Sequence, residues 1–177
     1  MKIYKTIFKD LKIIKHKSFK DERGFLRITH NKRFINKIFT FEYATTSYKN
    51  SLRGFHFQIK NQQSKYITVL KGKIFDCVID LRRNSKTFGK TFNIILSSKN
   101  NLALFVPKGF AHAYYSYDKE NIIYYKLDNF YSPKFENGIN PLDKELNINW
   151  PSKKFVISKK DKKLESFLNF KKKIKFL

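Results

Sequence analysis

His56 stands in the middle of LRGFHFQ, Leu52 to Gln58, an aromatic and apolar run beside an arginine and a glycine. An imidazole with an ordinary pKa of about 6.5 can take a proton, ligate a metal or sit hydrogen-bonded in a core. Strands that chelate a metal with two histidines carry them at i and i+2, because those side chains share a face. Two positions after His56 comes Gln58, and no histidine, cysteine or carboxylate stands at chelating spacing nearby, so no metal site is expected. The other groups with chemical potential are scattered: Arg23 in DERG, Arg53 in LRG, Lys65, His112 in GFAHA, the neighbours Tyr124 and Tyr125, and Asp161 in a lysine run. Taken singly, each has an ordinary reading as a surface charge, a wall aromatic or a core histidine. Only a fold that gathers them would give them a joint task.

The elements available to do so are strands. Period-two alternation dominates the middle of the chain. In KIFDCVIDL, Phe75, Cys77, Ile79 and Leu81 share one face, and Ile74, Asp76, Val78 and Asp80 the other. Similar short runs at 65–70, 92–97, 102–106, 113–117 and 122–127 are separated by turn signals such as Lys71-Gly72 and Pro107-Lys108-Gly109. Hairpin-length spacing argues for an antiparallel sandwich or barrel and against parallel crossover units. Helical pattern is scarce. NKRFINKIF (31–39) reads as one short helix, and the tail KKLESFLNFKKKIKFL places Leu164, Phe167 and Leu168 at helical spacing, as a helix packed on the barrel.

A chain of 177 residues with 41% hydrophobic and 17% aromatic content is too apolar for disorder and long enough for one domain, 1–177, with 162–177 as a basic C-terminal tail. The single cysteine, Cys77, is expected in the core of a protein from a reducing compartment. No apolar run approaches a membrane span, so the expected location is the cytoplasm without a membrane partner. The net charge of +24 is spread along the chain; it suits solvation or a phosphorylated small molecule better than nucleic acid.

Six segments, in order, resemble the dTDP-4-dehydrorhamnose 3,5-epimerase family: FKDERGF (19–25), LRGFHFQ (52–58), KYITVLKGKIFDCVIDLRRNSKTFGK (65–90), FVPKGFAHAYY (105–115), YYKLDNFYSP (124–133) and ISKKD (157–161). The resemblance implies an all-β, cupin-type antiparallel jelly roll, a homodimer, no metal or organic cofactor, and a nucleotide-linked 4-keto-6-deoxy sugar as substrate. A carbon beside a ketone loses its proton only if the enolate is stabilised, so inversion needs a base on one face, a proton source on the other and a cation at the oxygen. By resemblance, His56 is the base, Asp161 its orienting carboxylate, Tyr125 the opposite-face proton source and Lys65 the enolate cation. His112 supports the ketone or the dyad. Arg23 and Arg53 contact diphosphate or sugar; Tyr131 and Gln58 belong to the binding set, as does Phe19, from a neighbouring chain.

Arg53 and His56 differ by an odd number, so a regular strand would send them to opposite faces; Gly54 between them predicts a bulge at 53–55. The chain also departs from the family pattern. Ile28 replaces a usual glutamate, FEYATTSY stands where a Gln-Asp-Asn stretch is usual, and Asn140-Pro141 replaces an Arg-Trp pair. These departures suggest the same proton chemistry on a different sugar or nucleotide, GDP- and CDP-linked 4-keto sugars included. Two rival readings are a 3,4-ketoisomerase of the cupin class and a non-catalytic cupin that binds a sugar nucleotide or nucleic acid.

Overall fold

The computed structural model describes residues 1–174. Thirteen strands follow one another: β1 (Lys2–Lys5), β2 (Lys12–Lys15), β3 (Lys17–Asp21), β4 (Gly24–Ile28), β5 (Phe41–Tyr48), β6 (Leu52–Gln58), β7 (Lys65–Lys71), β8 (Lys73–Asp80), β9 (Thr91–Ser97), β10 (Leu102–Val106), β11 (Phe110–Ser116), β12 (Glu120–Leu127) and β13 (Glu136–Gly138). One α-helix, α1 (Phe167–Ile174), closes the described chain. A six-stranded sheet runs β1-β2-β10-β7-β12-β5, a five-stranded sheet β13-β6-β11-β8-β9, and β3 pairs with β4 as a separate hairpin. Every pairing within these sheets is antiparallel. This is the antiparallel sandwich expected from the alternation, in the jelly-roll form that the resemblance implies.

The main core lies between the sheets: Ile67, Val69, Leu104, Ile123 and Leu127 from one meet Ile74, Val78, Leu96 and Phe110 from the other. The opposite face of the five-stranded sheet is also covered, since Phe55, Cys77, Ile79, Ala111 and Ala113 pack under Ile139, Leu146, Phe167 and Phe170. Hence both faces of β8 are buried, and Cys77 is fully enclosed. Burying a side chain of this size is worth roughly 1.5–3 kcal/mol, so the two layers together clamp the central strands.

One helix expectation fails, and the tail helix forms and packs on the sheet with part of its expected face. Residues 31–39 form a single turn, in which Arg33 N–H bonds Asn31 Oδ1 and the Phe34 and Ile35 N–H groups bond Asn31 O. One turn does not offset the cost of helix nucleation, and burial of Ile35 in a third cluster with Ile14 and Tyr66 holds the segment instead. In the tail, Ser166 Oγ caps Asn169 N–H, and the buried helix face is Phe167 and Phe170, edge-on to Phe57 in the case of Phe170. Of the expected face, Phe167 is buried as anticipated, Leu164 precedes the helix and Leu168 is exposed, its place taken by Phe170. The last three residues of the basic tail, 175–177, lie outside the described residues.

Candidate active site

The local irregularity of β6 comes first, because it decides which side chains can meet. His56 pairs with His112 on β11, but Arg53 pairs with Tyr114, so three steps on β6 span two on β11. This is the bulge expected at 53–55. Gly54 has φ +114°, and the Gly54–Phe55 peptide is cis. A Cβ on Gly54 would stand 2.5 Å from His112 O and 2.6 Å from Ala113 Cα, so only glycine fits. The parity reset lets Arg53 and His56 line the same cavity.

The free carboxylate partner comes from far along the chain. Leu52 N–H bonds Val156 O and Val156 N–H bonds Asn50 O, laying the 156–161 segment beside β6. Asp161 thereby arrives 105 positions after His56 with its Oδ1 at 2.9 Å from His56 Nε2. Its Oδ2 accepts from Gly54 N–H at 3.2 Å, and its own N–H donates to Ser158 Oγ at 3.0 Å. Burial pushes the Asp161 carboxyl up, but the hydrogen bonds from His56, Gly54 and Ser158 and the imidazole charge outweigh it and leave the pKa below the ordinary value. The His56 side chain keeps 31% of its surface open, against 4% for Asp161. With Nε2 engaged by Asp161, Nδ1 is the nitrogen left to exchange a proton, and Glu136 Oε1 lies 3.8 Å from it.

Two adjoining cavities meet at this ring. One, of about 490 Å³, is lined by His56, Arg53, Lys65, His112, Tyr125 and Asp161, among others. The second, of about 310 Å³, shares His56 and Lys65 and adds Phe41, Gln58, Tyr131 and Glu136. Tyr43 lines both. These volumes are of the size that holds a small ligand. Burial lowers the Lys65 pKa to about 8 against the raising pull of Glu136 and Asp76. Burial also drives the Tyr125 phenol well above its ordinary value. His112 makes a second carboxylate pair, Nε2 to Asp76 Oδ2 at 2.7 Å, and lies edge-on to Tyr125 with ring centroids 6.0 Å apart.

The structure thus brings His56, Asp161, Lys65, Tyr125, His112, Arg53 and Tyr131 around one space. It does not bring Arg23 and Phe19 there. Both belong to the β3–β4 hairpin, where Arg23 pairs with Asp21 and Phe19 is half exposed; neither lines either cavity. Gln58 is a correction of a different kind. It borders the second cavity, but its amide is spent on the chain: Nε2 donates to Asn61 O at 2.8 Å and Phe130 O, while Oε1 accepts from Ser132 N–H at 2.7 Å. It braces two loops and has little left for a ligand.

Sequence reasoning missed Glu136, Tyr43 and Asp76. Glu136 accepts from Tyr131 Oη at 2.6 Å and from Lys160. Burial raises its pKa, yet those partners and the nearby imidazole bring it below the ordinary value. Asp76 left a readable signal. It shares the buried face of β8 with Ile74 and Val78, and a buried carboxylate demands a partner. Nothing in KFENG marked Glu136.

Comparison with known proteins places the whole chain. The family profile described as dTDP-4-dehydrorhamnose 3,5-epimerase matches residues 5–169. The enzyme of that name from Shigella flexneri is 35% identical over 176 residues, 96% of this chain and 97% of the relative. The crystal structure of the Bacillus anthracis enzyme, with TDP and pyrophosphate bound, superposes with a TM-score of 0.90 at 36% identity, covering 94% of this chain and 99% of that one. The Legionella pneumophila enzyme in complex with dTDP-4-keto-L-rhamnose gives 0.89 at 34%, covering 93% and 92%. A similarity of this extent over one shared fold makes the chain a member of the dTDP-4-dehydrorhamnose 3,5-epimerase family.

Proposed function

We propose that the protein is a nucleotide-sugar epimerase that inverts configuration at the carbons flanking the C4 ketone of a dTDP-linked 4-keto-6-deoxy sugar. The observation that carries this reading is the His56–Asp161 pair at a cavity wall that also holds Lys65 and Tyr125. His56 Nδ1 takes the proton from the carbon beside the ketone. Asp161 holds the ring orientation and stabilises the imidazolium as it forms, as the carboxylate of a hydrolase triad does. The Lys65 ammonium faces the oxygen on which enolate charge accumulates. Tyr125 delivers hydrogen from the other side, and solvent restores both groups. Arg53 at the mouth of the cavity is suited to the diphosphate. The relatives with dTDP compounds bound favour dTDP over GDP or CDP as the nucleotide.

The same reading assigns the β3–β4 hairpin to a second copy of the chain. Phe19, Phe25 and Leu26 are at least half exposed on it, beside Arg23, an apolar surface that association in a homodimer would cover. Arg23 and Phe19 then act on a partner's cavity. No helix among the described residues is long and apolar enough to cross a membrane, and a cytoplasmic location fits the single buried thiol.

The deciding experiment follows hydrogen exchange by NMR when the protein acts on dTDP-4-keto-6-deoxyglucose in D₂O. Deuterium enters beside the ketone with the wild type and is lost in His56→Asn. Undiminished exchange in that variant, or no exchange with the wild type, would defeat the assignment.

A further inference from the structure

The cavity holds a second phenol in a position that the assigned roles leave idle. Tyr43 and Tyr125 are directly opposed on the neighbouring strands β5 and β12, so their side chains leave the sheet on the same face. Their rings stack at 4.8 Å between centroids and 19° between planes. Both line the larger cavity with His56 and Lys65.

Their hydroxyls are unlike those of the other enclosed tyrosines. A buried phenol normally spends its O–H on a protein partner. Tyr66 does so with His16, Tyr114 with Thr45 and Ser47, and Tyr115 with Asn50. Tyr124 and Tyr131, nearer the surface, are engaged by Glu42 and Glu136. Among the described residues no hydrogen bond holds the hydroxyl of Tyr43 or Tyr125, although burial acts on both. Two free phenols, side by side in one cavity with one base, match a substrate with two reacting carbons, one on each side of a single ketone.

We propose that Tyr43 is a second proton donor, and that the two phenols divide the two carbons between them. The idea rests on the epimerase reading of the site. In each half-reaction His56 Nδ1 takes a proton from carbon, and the electron pair left behind delocalises onto the ketone oxygen facing Lys65. The nearer phenol O–H breaks as a new C–H bond forms on the opposite face, leaving a phenolate and an imidazolium. Proton return from imidazolium to phenolate through solvent resets the pair, so nothing is consumed.

The test compares wild type, Tyr43→Phe and Tyr125→Phe on dTDP-4-keto-6-deoxyglucose in D₂O, resolving inversion and deuterium at C3 and C5 separately. Phenylalanine keeps the ring stack and removes only the O–H. Each single variant is expected to lose inversion at one carbon by roughly 10²-fold, the two variants at different carbons, with the other carbon within about twofold of wild type. At the affected carbon, deuterium still enters with retention, because His56 continues to remove the proton and return one from the same face. Inversion of both carbons at wild-type rates by Tyr43→Phe overturns the inference while leaving the epimerase reading intact. Equal slowing of both carbons in Tyr43→Phe also overturns it, since that is the signature of a packing role. Absence of exchange with the wild type fails the epimerase reading itself and the inference with it.

Discussion

Two histidine–aspartate pairs face one cavity, and they differ in almost everything except their hydrogen bond. His56–Asp161 joins a bulged strand to a segment 105 residues away; His112–Asp76 joins side chains of adjacent strands β11 and β8. The bonds measure 2.9 and 2.7 Å. His56 keeps a third of its side chain open, whereas His112 and Asp76 are sealed at 6% and 0%. Every oxygen of the Asp161 carboxylate is answered, while Asp76 Oδ1 has no partner. A short bond alone does not make a base. What distinguishes the first pair is an imidazole edge that a substrate can reach, with the carboxylate behind it saturated. The second pair places a carboxylate near enough to Lys65 to raise its pKa and sets a ring against Tyr125, so on the proposed reading it is a buttress.

The contrast breaks most readily at its strong end. His56→Asn should lower kcat/KM by on the order of 10³–10⁴, and His112→Asn by only about tenfold; steady-state kinetics on the dTDP-4-keto sugar that returned equal losses would erase the distinction. Asp161→Asn should cost about 10²-fold in kcat with little change in KM, because ring orientation and imidazolium stabilisation are lost while binding stays. Asp76→Asn should instead shift the Lys65 titration, removing a charge that raises it.

That titration is itself a sharper probe. Burial takes Lys65 from 10.5 to about 8, so the cation is present below about pH 8 and lost above it. The pH profile of kcat/KM should therefore fall on an alkaline limb near 8, and Lys65→Arg, which keeps its proton, should remove the limb. Stability moves the opposite way. Between about 8 and 10.5 the unfolded chain binds more protons than the folded one, so this group adds stability as pH rises through that window. The smallest expected effect is at Gln58. Gln58→Ala should lower stability by about 1–3 kcal/mol in denaturant melts, from unanswered loop groups, with KM barely altered.

How much of this was legible in the chain depends on the range of the interaction. The alternation in KIFDCVIDL gave both buried faces of β8 and the antiparallel class, since side-chain direction along a strand is local. Gly54 signalled its own bulge. The Asp161 contact was readable only through resemblance, because nothing within a lysine run says which distant strand it will meet. The tail helix and its Phe167 contact were legible, but Phe170 in place of Leu168 was not, because Phe170 is chosen by Phe57, a contact across the fold. Glu136 and Tyr43 escaped because their importance lies in the cavity they share with His56, and their neighbours in sequence carry no trace of it.

Gly54 ties these threads in one residue. Its missing side chain lets β11 approach, its place in the bulge turns Arg53 toward the cavity, and its N–H anchors the carboxylate behind His56. Strand register, the direction of Arg53 and the setting of the His56–Asp161 pair therefore depend on one position. Any side chain put there would disturb all three at once, while changes around the rim of the cavity leave them untouched.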